Sequence, residues 1–456
     1  MGDSIMSNGN YSSIRLQVLS AAVLLTAISV SVLSSSPTRA APKNDAKARL
    51  TFARDIAPII QSKCASCHRP GEVAPFSLLS YEDVSKHAKQ IAMVTKSKFM
   101  PPWKADSHGE FMDERRLTDE QINTINAWSD AGSPMGDPKD MPPAPKFPSG
   151  WKLGPPDKVV GLTEAYKLEA EGRDVYRCFV IPTDLTEDKF VSAVEVHPGN
   201  RAVVHHVIAY LDTSGAARKL DEKEPGPGYT TSGGGPGFIP AGFLGGWVPG
   251  NEPRHLPDGT GSFVAKGSDI VLEVHYHKDG KPETDQTQIG IYYCKKPVDK
   301  RMRMMPVINP FFKIPAGADN HPVNASNAVF RDITIVNIIP HMHLLGRNMK
   351  VTATTPDKAE KPLINVPDWD FNWQMTYTYK DPVKLPAGTK ISLIAHYDNS
   401  TKNLRNPNKS PRDVGWGEQT TDEMCLAFIG YTIDKEELTK GITVDGPGAG
   451  GRRRDQ

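Results

Sequence analysis

The sequence predicts a multidomain protein in which a small all-α domain precedes two antiparallel β-sandwiches. Three observations carry this reading. Residues 50–137 hold capped, amphipathic helical segments around a Cys-x-x-Cys-His group. A proline-dense break follows at 138–157. From Val159 to about Ile433 the chain becomes a series of short alternating runs separated by turn residues. The length of 456 residues fits about three domains. An apolar fraction of 38% and a charged fraction of 23% are those of a folded soluble chain. The 39 prolines and 38 glycines favour short strands over long helices. A net charge of +1 without a basic stripe offers no surface for nucleic acid.

Residues 1–41 read as a secretory signal. Arg15 precedes an apolar run from Leu16 to Leu33, and small residues then lead to a cleavage point after Ala40. The run is nearly long enough to span a bilayer, so an uncleaved N-terminal anchor is the alternative. Either one places the rest outside the cytoplasm, periplasmic or secreted, and at a membrane only if the segment stays attached.

In the helical region, Asp55 to Gln61 leads into CASCH, Cys64 to His68. Tyr81 to Thr95 has amphipathic spacing, with Val84, Ala88, Ile91 and Ala92 on one side. Leu117 to Ala131 is a further helix, with Thr118 as N-cap, Gln121 three residues on, and Gly132 as its stop. The thiols of Cys64 and Cys67 can reach both vinyl groups of a porphyrin while His68 ligates the iron, so one covalent haem c is expected. Met100 in FMPPW is the preferred sixth ligand, with Met93 and Met112 as competitors. Helices before and after the motif give 50–137 the outline of a small cytochrome c. The segment PKDMPPAPKFPSGWKLGPPD (138–157) is expected to be an extended, semi-rigid spacer, with a reach of order 60 Å at roughly 3 Å per residue.

The strand-like runs include VYRCFVI, VVHHVIAY, IVLEVHYH, DITIVNII and KISLIAHY. A divide at 305/306 gives sandwiches over 158–305 and 306–437, each with one histidine cluster, and leaves 438–456 as a disordered tail. The glycine-rich stretch from Gly226 to Gly250 lacks a following Lys-Ser/Thr and is a long loop, not a phosphate cradle. His205 and His206 are adjacent, and neighbours on a strand point to opposite faces. Both can bind one metal only if a twist or a strand end turns them together, with His275 as the natural third ligand. His341 and His343 stand two apart, on one face of a strand. Met424 follows in DEMC. Imidazole and thioether donors together suit copper. Two copper sites and one haem describe a redox protein. Cys178, Cys294 and Cys425 remain, an odd number that fits either one disulfide plus a free thiol or three buried thiols.

Taken in order, Tyr176-x-Cys178, HH, LEVHYH, HMHLLG, DFNWQ (Asp370 to Gln374) and DEMC resemble the copper type II, ascorbate-dependent monooxygenases, the family of peptidylglycine hydroxylating monooxygenase and dopamine β-hydroxylase. The resemblance spans roughly 270 residues. It implies a pair of jelly-roll sandwiches with two coppers facing across a cleft. It assigns an electron-transfer copper to His205, His206 and His275, and an oxygen-binding, catalytic copper to His341, His343 and Met424. His277 and His396 are extra histidines, expected to support the metal ligands or the fold, since metal sites commonly recruit such partners. Three positions depart from the peptide-hydroxylating pattern. Ile339 replaces an arginine that holds a substrate carboxylate, and Leu426 and Phe428 replace an asparagine and a tyrosine. Ala395 stands where a disulfide partner of Cys425 is expected.

The function implied is an exported copper monooxygenase that hydroxylates a C–H bond of a small molecule with O2. Its electrons come from an external reductant, such as ascorbate or an electron-donor protein, and pass through the fused haem. The alternative is a non-catalytic haem/copper electron-transfer or copper-handling protein that kept the ligands.

Overall fold

The computed structural model describes residues 49–444. The signal or anchor expected over 1–41 lies outside them, as does the tail beyond 444. Within the expected tail, Leu438–Lys440 forms a 3-10 turn, and Glu437 bridges to Ile442, so regular structure extends past residue 437. Among the described residues no helix is long and apolar enough to cross a membrane.

The helical region is small. A π-turn at Phe52–Ile56 runs into the helix Ala57–Lys63, which delivers Cys64. The helix expected over Tyr81 to Thr95 is interrupted. It forms as Tyr81–Lys86 and Ala88–Lys96, with His87 between them at φ −103, ψ 9, its ring stacked on Phe76 at 4.1 Å. The helix Asp119–Asp130 begins in a full capping box, with Thr118 and Gln121 each receiving the other's backbone N–H. Phe52, Ile60, Ile125 and Trp128 form the centre of the helical core.

Beyond the helical region the strands pair antiparallel, apart from a two-residue parallel pairing of Lys300–Arg301 with Thr260–Val264 and a parallel bridge of Trp416 with Glu423, and one short helix, Ala216–Asp221, lies among them. One five-stranded sheet has the order Tyr229–Thr231, Val175–Pro182, Asp269–Tyr276, Val204–Asp212, Gly242–Trp247. A second is built on Gln288–Tyr293 and Lys189–His197. Their inward residues, among them Leu272, Val274, Ile289 and Val196, share one apolar core. Further on, Arg303–Ile308, Leu426–Ile433, Ile333–His341 and Tyr377–Leu385 form a four-stranded sheet. It shares a core with the sheet of His321–Ala328, Lys390–Tyr397, Gly346–Thr354 and Glu360–Val366.

Two connections tie the helical region and the proline-dense segment to the sheets. Residues 101–116 leave the helices and enter the second pair of sheets. Trp103 packs edge-on to Tyr377 at 5.2 Å, and Phe111 lies 4.9 Å from Tyr379. The N–H of Met112 donates to the carbonyl of Thr378, and that of Lys380 to Glu110. Burying these rings in the second core removes their apolar surface from water. The segment 138–157 is likewise laid on the first pair of sheets. Trp151 stacks on His197 at 3.8 Å, and the N–H groups of Lys152 and Leu153 donate to the carboxylate of Glu195.

Candidate metal centres

The adjacent pair His205-His206 is turned to one side by a β-bulge. Val204 pairs with Tyr276 and His206 pairs with His275, so His205 is the extra residue in the register. A bulge sets two residues of one strand against one of its partner, which removes the strand-alternation obstacle. The Nδ1 atoms of His205 and His206 lie 3.2 Å apart, and those of His206 and His275 lie 3.4 Å apart. Two imidazole nitrogens held about 2.0 Å from one tetrahedral or trigonal ion sit roughly 3.3–3.5 Å apart. The three histidines therefore have the spacing of a single-ion site.

Orientation comes from the surroundings. His275 is 1% exposed and stacks on Tyr176 at 4.1 Å. Its Nε2 lies 2.8 Å from Asp174, which also takes Nδ1 of His277 at 3.0 Å. Asp174 thereby fixes the tautomer that leaves Nδ1 of His275 facing the other two rings.

His341 ends its strand and His343 follows it, with rings 5.2 Å apart, while Met342 between them is buried in the core. Here the nitrogens are reversed. Nδ1 of His341 is hydrogen-bonded to Oε1 of Gln374, and Nδ1 of His343 lies 3.2 Å from the carbonyl of Asp422. Both Nε2 atoms are left for a ligand. Glu423, 0% exposed, accepts the N–H groups of His343, Leu345 and Met424 at 2.9, 2.6 and 3.2 Å. One carboxylate thus ties together the segments that carry both histidines and the methionine. Burial lifts this carboxyl to about 8, against the pull of the N–H donors.

Both groups open on one cleft of 1750 Å³, whose wall includes His206, His341, His343 and Met424. Burial drives the imidazoles toward the neutral form: His205 and His343 fall to about 3, His341 to about 4, and His206 well below its usual value. Neutral imidazole is the metal-binding form. Ile339 pairs with Phe428, and His341 with Leu426, so the wall beside the second group is apolar.

At the CASCH group, both thiols are unbonded to other cysteines, and burial pushes Cys64 up to about 12. Nδ1 of His68 lies 3.1 Å from the Phe76 carbonyl, which leaves Nε2 unengaged. Cys67 lines the same cleft as the histidines. Glu72, four residues past His68, bridges Arg69 at 2.7 Å and Arg201 at 2.6 Å, joining this loop to the approach of the His205 strand. Met100 is half-buried just past the helix Ala88–Lys96, with its N–H on Val94. Met93 and Met112 are more exposed. Cys178, Cys294 and Cys425 form no disulfide; Cys178 and Cys425 are buried thiols, while Cys294 is only half-buried. His396 is bonded to Asn348, away from the clusters. Asp174, Glu423 and Gln374 were not singled out as site residues from sequence. The neighbouring ligand motifs were the available signal for Glu423 and Gln374.

Residues 307–441 match the family model for the copper type II ascorbate-dependent monooxygenase, C-terminal domain. This stretch contains His341, His343 and Met424. The human protein named "Putative DBH-like monooxygenase protein 2" is 24% identical over 288 residues, covering 58% of this chain and 54% of the relative. The chain thus spans about half the length of that curated relative. Among solved structures, the infectious bursal disease virus VP2 subviral particle is 8% identical, with 60% of this chain and 72% of that chain covered and a TM-score of 0.19. The PBSX exported protein XepA is 9% identical, with 53% and 86% covered and a TM-score of 0.15. Likenesses this slight carry no argument.

Proposed function

We propose that the protein is an exported copper monooxygenase that hydroxylates a C–H bond of an uncharged small molecule with O2. The observation that carries this reading is the pair of histidine groups on one cleft, three Nδ1 atoms in one and two Nε2 atoms in the other, with Met424 in the same wall. The second group lies within the residues that match the copper family. Copper, when bound, supplies one-electron redox chemistry and oxygen activation. His205, His206 and His275 would hold one ion, and His341, His343 and Met424 the other. One oxygen atom enters the product and the other leaves as water, with two electrons and two protons consumed.

The chain's own groups do the positioning. Asp174 orients His275, and Gln374 and the Asp422 carbonyl orient the second pair. Ile339, Leu426 and Phe428 present an apolar wall to a substrate. A carboxylate bound there without a partner would be costly. We further propose that CASCH carries a covalent haem c relaying electrons from ascorbate or a donor protein. Two unpaired thiols and a His68 ring with Nε2 unengaged fit that group. The Glu72–Arg201 bridge supports a fixed relay rather than a mobile tether. The signal-like start of the chain supports a periplasmic or secreted location.

The test is isotope-labelled dioxygen. Protein matured in an export-competent host is loaded with copper and supplied with ascorbate and a panel of uncharged apolar small molecules. One labelled oxygen per product molecule is expected. Electron uptake without substrate-dependent oxygen consumption would instead mark an electron carrier.

A further inference from the structure

The loop Asp370 to Gln374 belongs to the second pair of sheets, yet its side chains reach both histidine groups. The ring of Phe371 stacks on His205 at 5.5 Å with an interplanar angle of 14°. The same ring meets His343 at 5.9 Å and 88°. Gln374 adds a second link, since Nε2 donates to the Phe371 carbonyl at 3.0 Å while Oε1 is bonded to His341. The loop is itself well anchored. Asp370, 2% exposed, accepts from the N–H and side-chain amide of Asn372 and lies within 3.9 Å of Lys104 and 3.6 Å of Arg405.

We infer that Phe371 is a positioning residue that fixes the separation of the two metal centres and so sets the rate at which an electron crosses between them. This rests on the copper reading above. The donor is the reduced ion of the first centre, replenished by an enediol reductant such as ascorbate. The acceptor is the oxidised ion of the second centre, so one is oxidised as the other is reduced. A ring stacked on a ligand at one end and edge-on to a ligand at the other holds those two ligands one ring's breadth apart. Removing it frees the two walls of the cleft to separate.

The experiment compares full-length, copper-loaded wild type with Phe371→Leu and Phe371→Tyr. Copper content is measured first, then dipolar broadening of the copper signal in the oxidised protein by electron paramagnetic resonance. Rapid-freeze sampling then follows the electron between centres after the ascorbate-reduced protein meets O2. Copper content should be the same in all three. Phe371→Leu should narrow the signal and slow transfer, as the gap between the centres widens. Phe371→Tyr should restore both. Unchanged broadening and rate in Phe371→Leu would overturn the inference, as would loss of copper from that variant, because the ring would then be holding ligands rather than spacing centres. A wild type that oxygenates substrate without any broadening also overturns it while leaving the function standing. A broadened signal, ring-dependent as expected but without oxygen incorporation, removes the monooxygenase reading and supports the spacing role.

Discussion

His275 gives its Nε2 to Asp174 at 2.8 Å and keeps its Nδ1 turned toward His206. Losing the carboxylate frees the ring to take the other tautomer or to rotate. Asp174→Ala is therefore expected to weaken metal binding at the first centre by about 10–100-fold while the second centre keeps its affinity. Competition with a chelator, read separately at the two centres, checks this. Equal weakening at both would show that Asp174 acts on the whole cleft.

Glu423 holds three buried backbone N–H groups. Glu423→Ala should cost about 3 kcal/mol or more, since each buried N–H left without a partner costs roughly 1–3 kcal/mol. Copper should also be lost from the second centre before the first. Chemical denaturation and metal analysis of the variant measure both. A wild-type denaturation midpoint would contradict the clamp.

Glu195 governs the seating of the segment that follows the helices. Burial pushes its carboxyl up, but the bonds from His197 and from the N–H groups of Lys152 and Leu153 outweigh that and hold it below 4.5. A lowered carboxyl value means that the stabilisation is present above 4.5 and is lost as pH falls through the lower folded value. Hydrogen exchange at residues 150–154 should therefore be slow at neutral pH and accelerate in acid. Glu195→Gln should exchange fast already at neutral pH. Protection that persists into strong acid would place the hold elsewhere, in the Trp151 stack.

Phe111 is 3% exposed and belongs to the core of the second pair of sheets, although it follows the haem-type motif in sequence. Phe111→Ala should cost about 3–5 kcal/mol. Unfolding should then involve the second pair of sheets as well as the helices. Denaturation followed by tryptophan fluorescence tests this. A variant in which only helical signal is lost would restore the picture of an independent helical domain.

The metal-ligand types were legible because their chemistry is local. Adjacent or alternating histidines, a late methionine and Cys-x-x-Cys-His announce themselves at short range. The helix at Thr118 was legible for the same reason, since its cap and stop lie within one helix length. What escaped depends on distant partners. The bulge at His205 exists only in the register of Val204–Asp212 against Asp269–Tyr276. Asp174 is one acid among 53 and is distinguished only by the two imidazoles that the fold brings to it. Trp103 and Phe111 looked like part of a helical domain because Tyr377 and Tyr379, which bury them, lie far along the chain. Phe371 was visible as a member of DFNWQ, but the direction of its ring is set by Asp370 and Gln374 in the folded loop.

The most direct test of the central claim is copper stoichiometry combined with X-ray absorption on the reduced protein. Wild type should bind two coppers per chain, with a sulfur neighbour at one of them. His206→Ala should retain the sulfur-ligated copper and lose the other. Met424→Ala should lose the sulfur signal while the three-histidine copper stays. A single copper per chain, or zinc filling both sites with no copper uptake, would contradict the account.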